Sequence, residues 1–154
     1  MDRQRSNPAT AWMAGPQYIW HLDYYLSGDS PDAFADYDPE RLAGELATAK
    51  PNVVAIFALN QHGYAYYPSN VAPPHPRLGD RDYTGTLLEA LHRRGVRVLT
   101  YVNWMNIDQR AQHPDWWQRD SKGEEIYLDG WGVPCPNGPA RDYMRRLVEE
   151  VAGR

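Results

Sequence analysis

The chain contains one cysteine, Cys135, which excludes an internal disulfide and a metal site built from cysteines. A lone thiol fits a reducing compartment. Long apolar runs are also missing, and none could cross a bilayer. Met1 to Thr10 is polar and has no apolar core of the kind a secretion signal needs. The expectation is a cytoplasmic protein with no membrane partner. There is no Lys/Arg run or basic stripe, and the net charge is −4, so no nucleic-acid partner is expected. Triad sequences, a glycine-rich phosphate loop and a dinucleotide fingerprint are all absent. No cofactor is expected.

Phenylalanine is scarce too, with 2 residues against 6 Trp and 11 Tyr. Tyr and Trp combine an apolar ring face with a polar edge. A sugar presents the same duality, so this composition suits a sugar pocket, and equally suits rings at helix–sheet boundaries. With 42% apolar residues in 154, the chain can build a globular core.

Residues 1–16 read as an irregular leader, broken by Pro8, Gly15 and Pro16. Tyr18 to Tyr25 has strand composition. Asp38-Pro39 is a helix start, a side-chain cap followed by proline at the first helical position. Leu42, Leu46 and Ala49 then fall on one face, and Pro51 stops the helix. Val53 to Leu59 is the continuous apolar run of a parallel strand buried on both faces. A second helix is predicted from about Thr84 to Arg94, closed by Gly95 in a left-handed cap. Val96 to Val102 forms a third strand, and Pro139 to Val151 a third helix with one apolar stripe.

The predicted order β-α-β-α-β-α implies a parallel sheet with right-handed crossovers. Helix-to-strand links are short, whereas the loops at about 60–83 and 103–138 are long. That asymmetry fits the N-terminal part of a (β/α)₈ TIM barrel, in which long loops gather at the C-terminal ends of the strands. A barrel needs eight strands and about 250 residues. Residues 17–154 are therefore expected to be a partial barrel domain. Either it is a fragment lacking a C-terminal half, or it is a homo-oligomer paired through its open edge, or it is an open α/β sheet; the fragment is favoured.

Chemistry-bearing residues cluster where the strands end. His21 and Asp23 lie two apart and share a strand face. They can orient a hydroxyl, move a proton or hold a metal; the competing reading is a structural His–Asp hydrogen bond. After the second strand come Asn60, Gln61, His62, Gly63 and Tyr64, with amides and imidazole suited to vicinal hydroxyls. The third strand ends in Asn103, Trp104 and Asp108, with Trp104 as a stacking wall or a core residue. One of Trp116 and Trp117 is expected to be buried, and Trp131 and Cys135 to be structural. Glycosidases work with two carboxylates, and Asp23, Asp108 and Asp115 are candidates, although none stands out as half of a pair. His21, Asp23 and His62 could also make a partial metal site, which keeps a metal-dependent hydrolase as an alternative.

The segment Val53 to Ser69 resembles the strand-two segment of α-L-fucosidase-like glycoside hydrolases. It is most similar to a branch of barrel glycosidases that reads Lys-x-His-His-Gly-Tyr there. Leu88 to Val98, Tyr101 with Trp104 and Asp108, His113 to Trp116, and Cys135 to Asn137 resemble later parts of the same family. The resemblance spans roughly residues 18–150. It implies a (β/α)₈ barrel, glycoside hydrolysis, a carbohydrate substrate and sugar binding by the strand-two histidines. His62 matches the second of these; Gln61 stands in place of the first, and Leu59 in place of a lysine. The family's nucleophilic aspartate follows strand four and its acid/base comes later still, so both fall beyond Arg154. The expected substrate-binding residues are His21, Asp23, Gln61, His62, Tyr64, Asn103, Trp104 and Asp108, of a fucosidase-like or galactosidase-like enzyme. The alternative is a non-catalytic sugar-binding or assembly fragment.

Overall fold

The computed structural model describes residues 10–15, 17–104, 112–128 and 130–154. Its frame is a three-stranded parallel sheet, β1 (Ile19–His21), β2 (Val53–Leu59) and β3 (Arg97–Val102), in the order β1-β2-β3. The helix α1 (Pro39–Thr48) connects β1 to β2, and α2 (Tyr83–Arg93) connects β2 to β3. After β3 come a short antiparallel pair, β4 (Tyr127–Leu128) and β5 (Trp131–Gly132), and then α3 (Pro139–Ala152). The short pair was not expected within the long third loop. A 3₁₀ turn at Ala11–Ala14 also interrupts the leader expected to be irregular.

Local chemistry explains the boundaries. The Asp38 side chain accepts from Arg41 N at 3.0 Å, with Pro39 opening α1. The α2 helix begins one residue earlier than expected because Asp82 caps it, accepting from Gly85 N at 2.8 Å. A Cβ on Gly85 would lie 2.6 Å from an Asp82 oxygen, so glycine permits that cap. Gly95 turns the chain into β3 at φ +74°, a conformation that costs glycine little. The β1 strand is shorter than its composition suggests, because only Ile19, Trp20 and His21 find partners on β2.

Paired residues on parallel strands share a face, and this separates two environments. Val54 and Ile56 point to the helices and form one core with Ala43, Leu46, Leu87 and Leu91. A second core joins Ala58 and Leu59 to Ala65, Tyr67, Tyr143 and Leu147, so α3 packs on the loop after β2. The opposite sheet face carries Ile19, His21, Ala55, Leu99 and Tyr101. It stays open: Ile19 is 48% exposed, Leu99 39% and Tyr101 37%.

Candidate functional site

The loop after β2 is held by a polar centre. Asn60 is fully buried; its Nδ2 donates to Leu26 O at 2.6 Å and to Tyr66 Oη at 3.0 Å. Its Oδ1 accepts from His62 N and Tyr64 N, each at 3.0 Å. Two donors and one acceptor with two lone pairs are thus all used. Asn60 is a structural bracket, and only one of the two adjacent amides remains available to a hydroxyl. Burial pushes the Tyr66 phenol up to about 12, while its hydrogen bonds to Leu26 and Asn60 oppose this.

That remaining amide is Gln61. Its side chain is 6% exposed, and its Oε1 is buried with no hydrogen-bond partner among the described residues. A buried acceptor left this way costs about 1–3 kcal/mol. Gly63 turns the chain at φ +83° beside it.

His62 and Tyr64 open onto a cleft of about 390 Å³ whose far side is His113, Trp116, Tyr143 and Arg146, completed by Gln112, Val71 and Pro73. His113 stacks on Trp116 with centroids 3.8 Å apart and planes 6° from parallel, and Trp116 meets Tyr143 at 4.8 Å. Cys135 N donates to Trp116 O at 2.6 Å and fixes this wall. Trp117 is the buried member of the tryptophan pair, packed on Gly132, where a Cβ would lie 2.9 Å from its ring. Tyr64 also packs edge-on against buried His75, with centroids 5.4 Å apart.

His21 is exposed on the open sheet face, 5.8 Å from the Phe57 ring and 5.5 Å from Tyr101. Asp23 is exposed near Tyr25, whose phenol is pushed up by burial and then by the Asp23 carboxylate. Asn103 is buried, its backbone N donating to Leu59 O at 3.1 Å. Trp104 lines a different, mainly apolar cleft of about 350 Å³ with Pro136, Met144 and Val148. The expected set is therefore split: His62 and Tyr64 share one cleft, His21 and Asp23 lie by the open face, and Trp104 faces elsewhere. Asp108 lies outside the described residues. Among the described residues no three His, Cys, Asp or Glu side chains gather as a metal site, so His21, Asp23 and His62 do not assemble into one. No helix among them is long and apolar enough to cross a membrane.

Sequence reasoning missed Arg146, Tyr143 and His113 as cleft residues. It also missed Glu150, whose carboxylate accepts from Tyr67 Oη at 2.8 Å, Ser69 Oγ at 2.5 Å and Asn70 N at 2.7 Å. Burial raises the Glu150 carboxyl, but these three donors outweigh it and hold it below the ordinary range.

A parallel α/β sheet with its polar and aromatic loops at the C-terminal strand ends is the arrangement of many sugar-processing and other enzymes. The chain belongs to the family described as Hypothetical glycosyl hydrolase 6, whose pattern it matches over residues 38–153. It is similar in structure to α-L-fucosidase isoenzyme 2 from Paenibacillus thiaminolyticus, with TM-score 0.79, 30% identity, and coverage of 88% of this chain and 21% of that one. It also resembles the Thermotoga maritima α-fucosidase in complex with fucose, with TM-score 0.58, 19% identity and coverage of 85% and 30%. A third match is an α-L-fucosidase trapped covalent intermediate from Bacteroides thetaiotaomicron, with TM-score 0.56, 17% identity and coverage of 77% and 25%. The latter two show the fold alone. The chain thus spans 21% to 30% of the length of these solved relatives. No curated protein matches it.

Proposed function

We propose that this chain forms one wall of the substrate pocket of a retaining glycoside hydrolase acting on a fucose- or galactose-like sugar. In this reading residues 17–154 are the first units of a (β/α)₈ barrel, and the open sheet face looks into its interior. The observation that carries the proposal is Gln61: a buried, unpartnered Oε1 at the end of a parallel strand. A sugar hydroxyl donating to it would supply the missing partner. His62 sits next to it in the loop, His21 ends β1, and Asn103 follows the last residue of β3. These would hold further hydroxyls, Tyr64 would offer a ring face, and Asp23 and Asp108 would complete the polar set. Such contacts orient the sugar for attack. The nucleophile and acid/base would come from parts of a longer protein.

The test is hydrolysis of nitrophenyl α-L-fucoside and α-D-galactoside by the protein that carries this segment. Gln61→Leu should lower kcat/KM by at least about tenfold, and His62→Ala similarly, since each removes a buried polar contact to substrate. Unchanged values in both variants would sink the assignment.

A further inference from the structure

Charge separates the His62 cleft from the rest of the molecule. The chain carries 20 Asp and Glu against 16 Lys and Arg, yet among the described residues no Asp or Glu lines this cleft. Among the described lining residues, Arg146 is the one with a permanent charge. The neighbouring arginines of α3 are paired: Arg145 with Glu149 at 2.7 Å and Arg141 with Asp142 at 3.9 Å. Arg146 has a carboxylate of its own one helical turn on, at Glu150. That carboxylate is turned away to Tyr67, Ser69 and Asn70. Arg146 therefore has no ion-pair partner among the described residues, on a helix where the usual i,i+4 pairing was available.

Beside it stand two imidazoles, His62 and His113, and the stacked wall His113, Trp116 and Tyr143. A guanidinium offers a planar fork that matches a carboxylate or sulfate. Imidazole and phenol groups offer hydrogen bonds to ring hydroxyls, and aromatic edges offer an apolar wall. We propose that this cleft is a subsite for an acidic sugar residue, one bearing a carboxylate or a sulfate ester, with Arg146 on the anionic group. The inference rests on the carbohydrate reading above and names the substrate class for it.

The experiment is calorimetric titration of the protein that carries this segment, at low salt, with D-glucuronate, D-galactose 6-sulfate, D-galactose and inorganic sulfate. At least one of the two acidic sugars should bind at least about tenfold more tightly than D-galactose, and which one does identifies the anionic group. Arg146→Gln should remove that preference. Arg146→Lys, which keeps the charge without the fork, should give an intermediate affinity. Arg93→Gln, which removes the same charge from the last residue of α2, outside the cleft lining, should leave the preference intact. Added salt should weaken it. Equal binding of D-galactose and both acidic sugars overturns the inference while the sugar reading stands; binding of no sugar sinks both. Inorganic sulfate binding as tightly as the sugar sulfate, or an undiminished preference in Arg146→Gln, also overturns it.

Discussion

Replacing Glu150 with alanine should loosen the loop that carries His62 and Tyr64, and the cost can be worked from its three partners. Tyr67 is fully buried, so its hydroxyl, now donating to Glu150 at 2.8 Å, would be left without a partner. An orphaned buried hydroxyl costs about 1–3 kcal/mol. Ser69 is half-buried and Asn70 exposed, so water replaces much of what they lose. The total is about 2–3 kcal/mol, or a fall in Tm of roughly 5–10 °C for a chain of this size. Tyr67→Phe alone removes the orphan along with the bond and should cost about 1 kcal/mol. The double variant should then be less destabilised than the sum of the singles by about 1–2 kcal/mol. Urea unfolding of the four proteins measures this coupling. A coupling below about 0.3 kcal/mol would refute the view that Glu150 acts through the Tyr67 hydroxyl. The pH dependence is a second check. The Glu150 carboxyl is held below its ordinary value. Its contribution is therefore complete above the unfolded value of about 4.3 and is lost as pH falls through the lowered folded value. Acid should thus destabilise the wild type more steeply than Glu150→Gln.

Asn60→Ala should cost about 3 kcal/mol in urea unfolding, because it strips partners from Leu26 O, Tyr66 Oη, His62 N and Tyr64 N together; a cost under about 1 kcal/mol would mean the loop does not depend on this bracket. His75 should make the fold acid-sensitive. Its Nδ1 accepts from Arg77 N at 3.1 Å, so Nε2 carries the proton donated to Ser27 O at 2.9 Å, and the ring is neutral. Burial lowers its pKa, so the unfolded chain takes up a proton first and stability falls as pH drops below about 6.5. Melting at pH 7.5 and 5.5 should show a smaller loss in His75→Gln than in the wild type; equal losses would remove His75 as the cause.

The alternating elements were legible in the sequence because each carries its own short-range signal. Val53 to Leu59 is buried almost throughout, Asp38 and Pro39 start α1, and Gly95 takes positive φ. The β4–β5 pair was not legible, since strands of two residues show no periodicity. Neither was the difference between Asn60 and Gln61, two adjacent amides. One is spent on four internal hydrogen bonds and the other is buried with an open acceptor, a distinction set by which way each points at the strand end. The freeing of Arg146 depends on Glu150 meeting Tyr67, 83 residues away in sequence. A helix taken alone would pair Arg146 with Glu150; only the packing of α3 on the loop after β2 separates them.

The most direct test of the carbohydrate reading is an amide-resolved NMR titration of the protein that carries this segment with L-fucose and D-galactose. The account predicts saturable shifts at Gln61, His62 and Tyr64, with smaller ones at His21, that disappear in Gln61→Leu. Shifts confined to residues away from the strand ends, or none at saturating sugar, would contradict it.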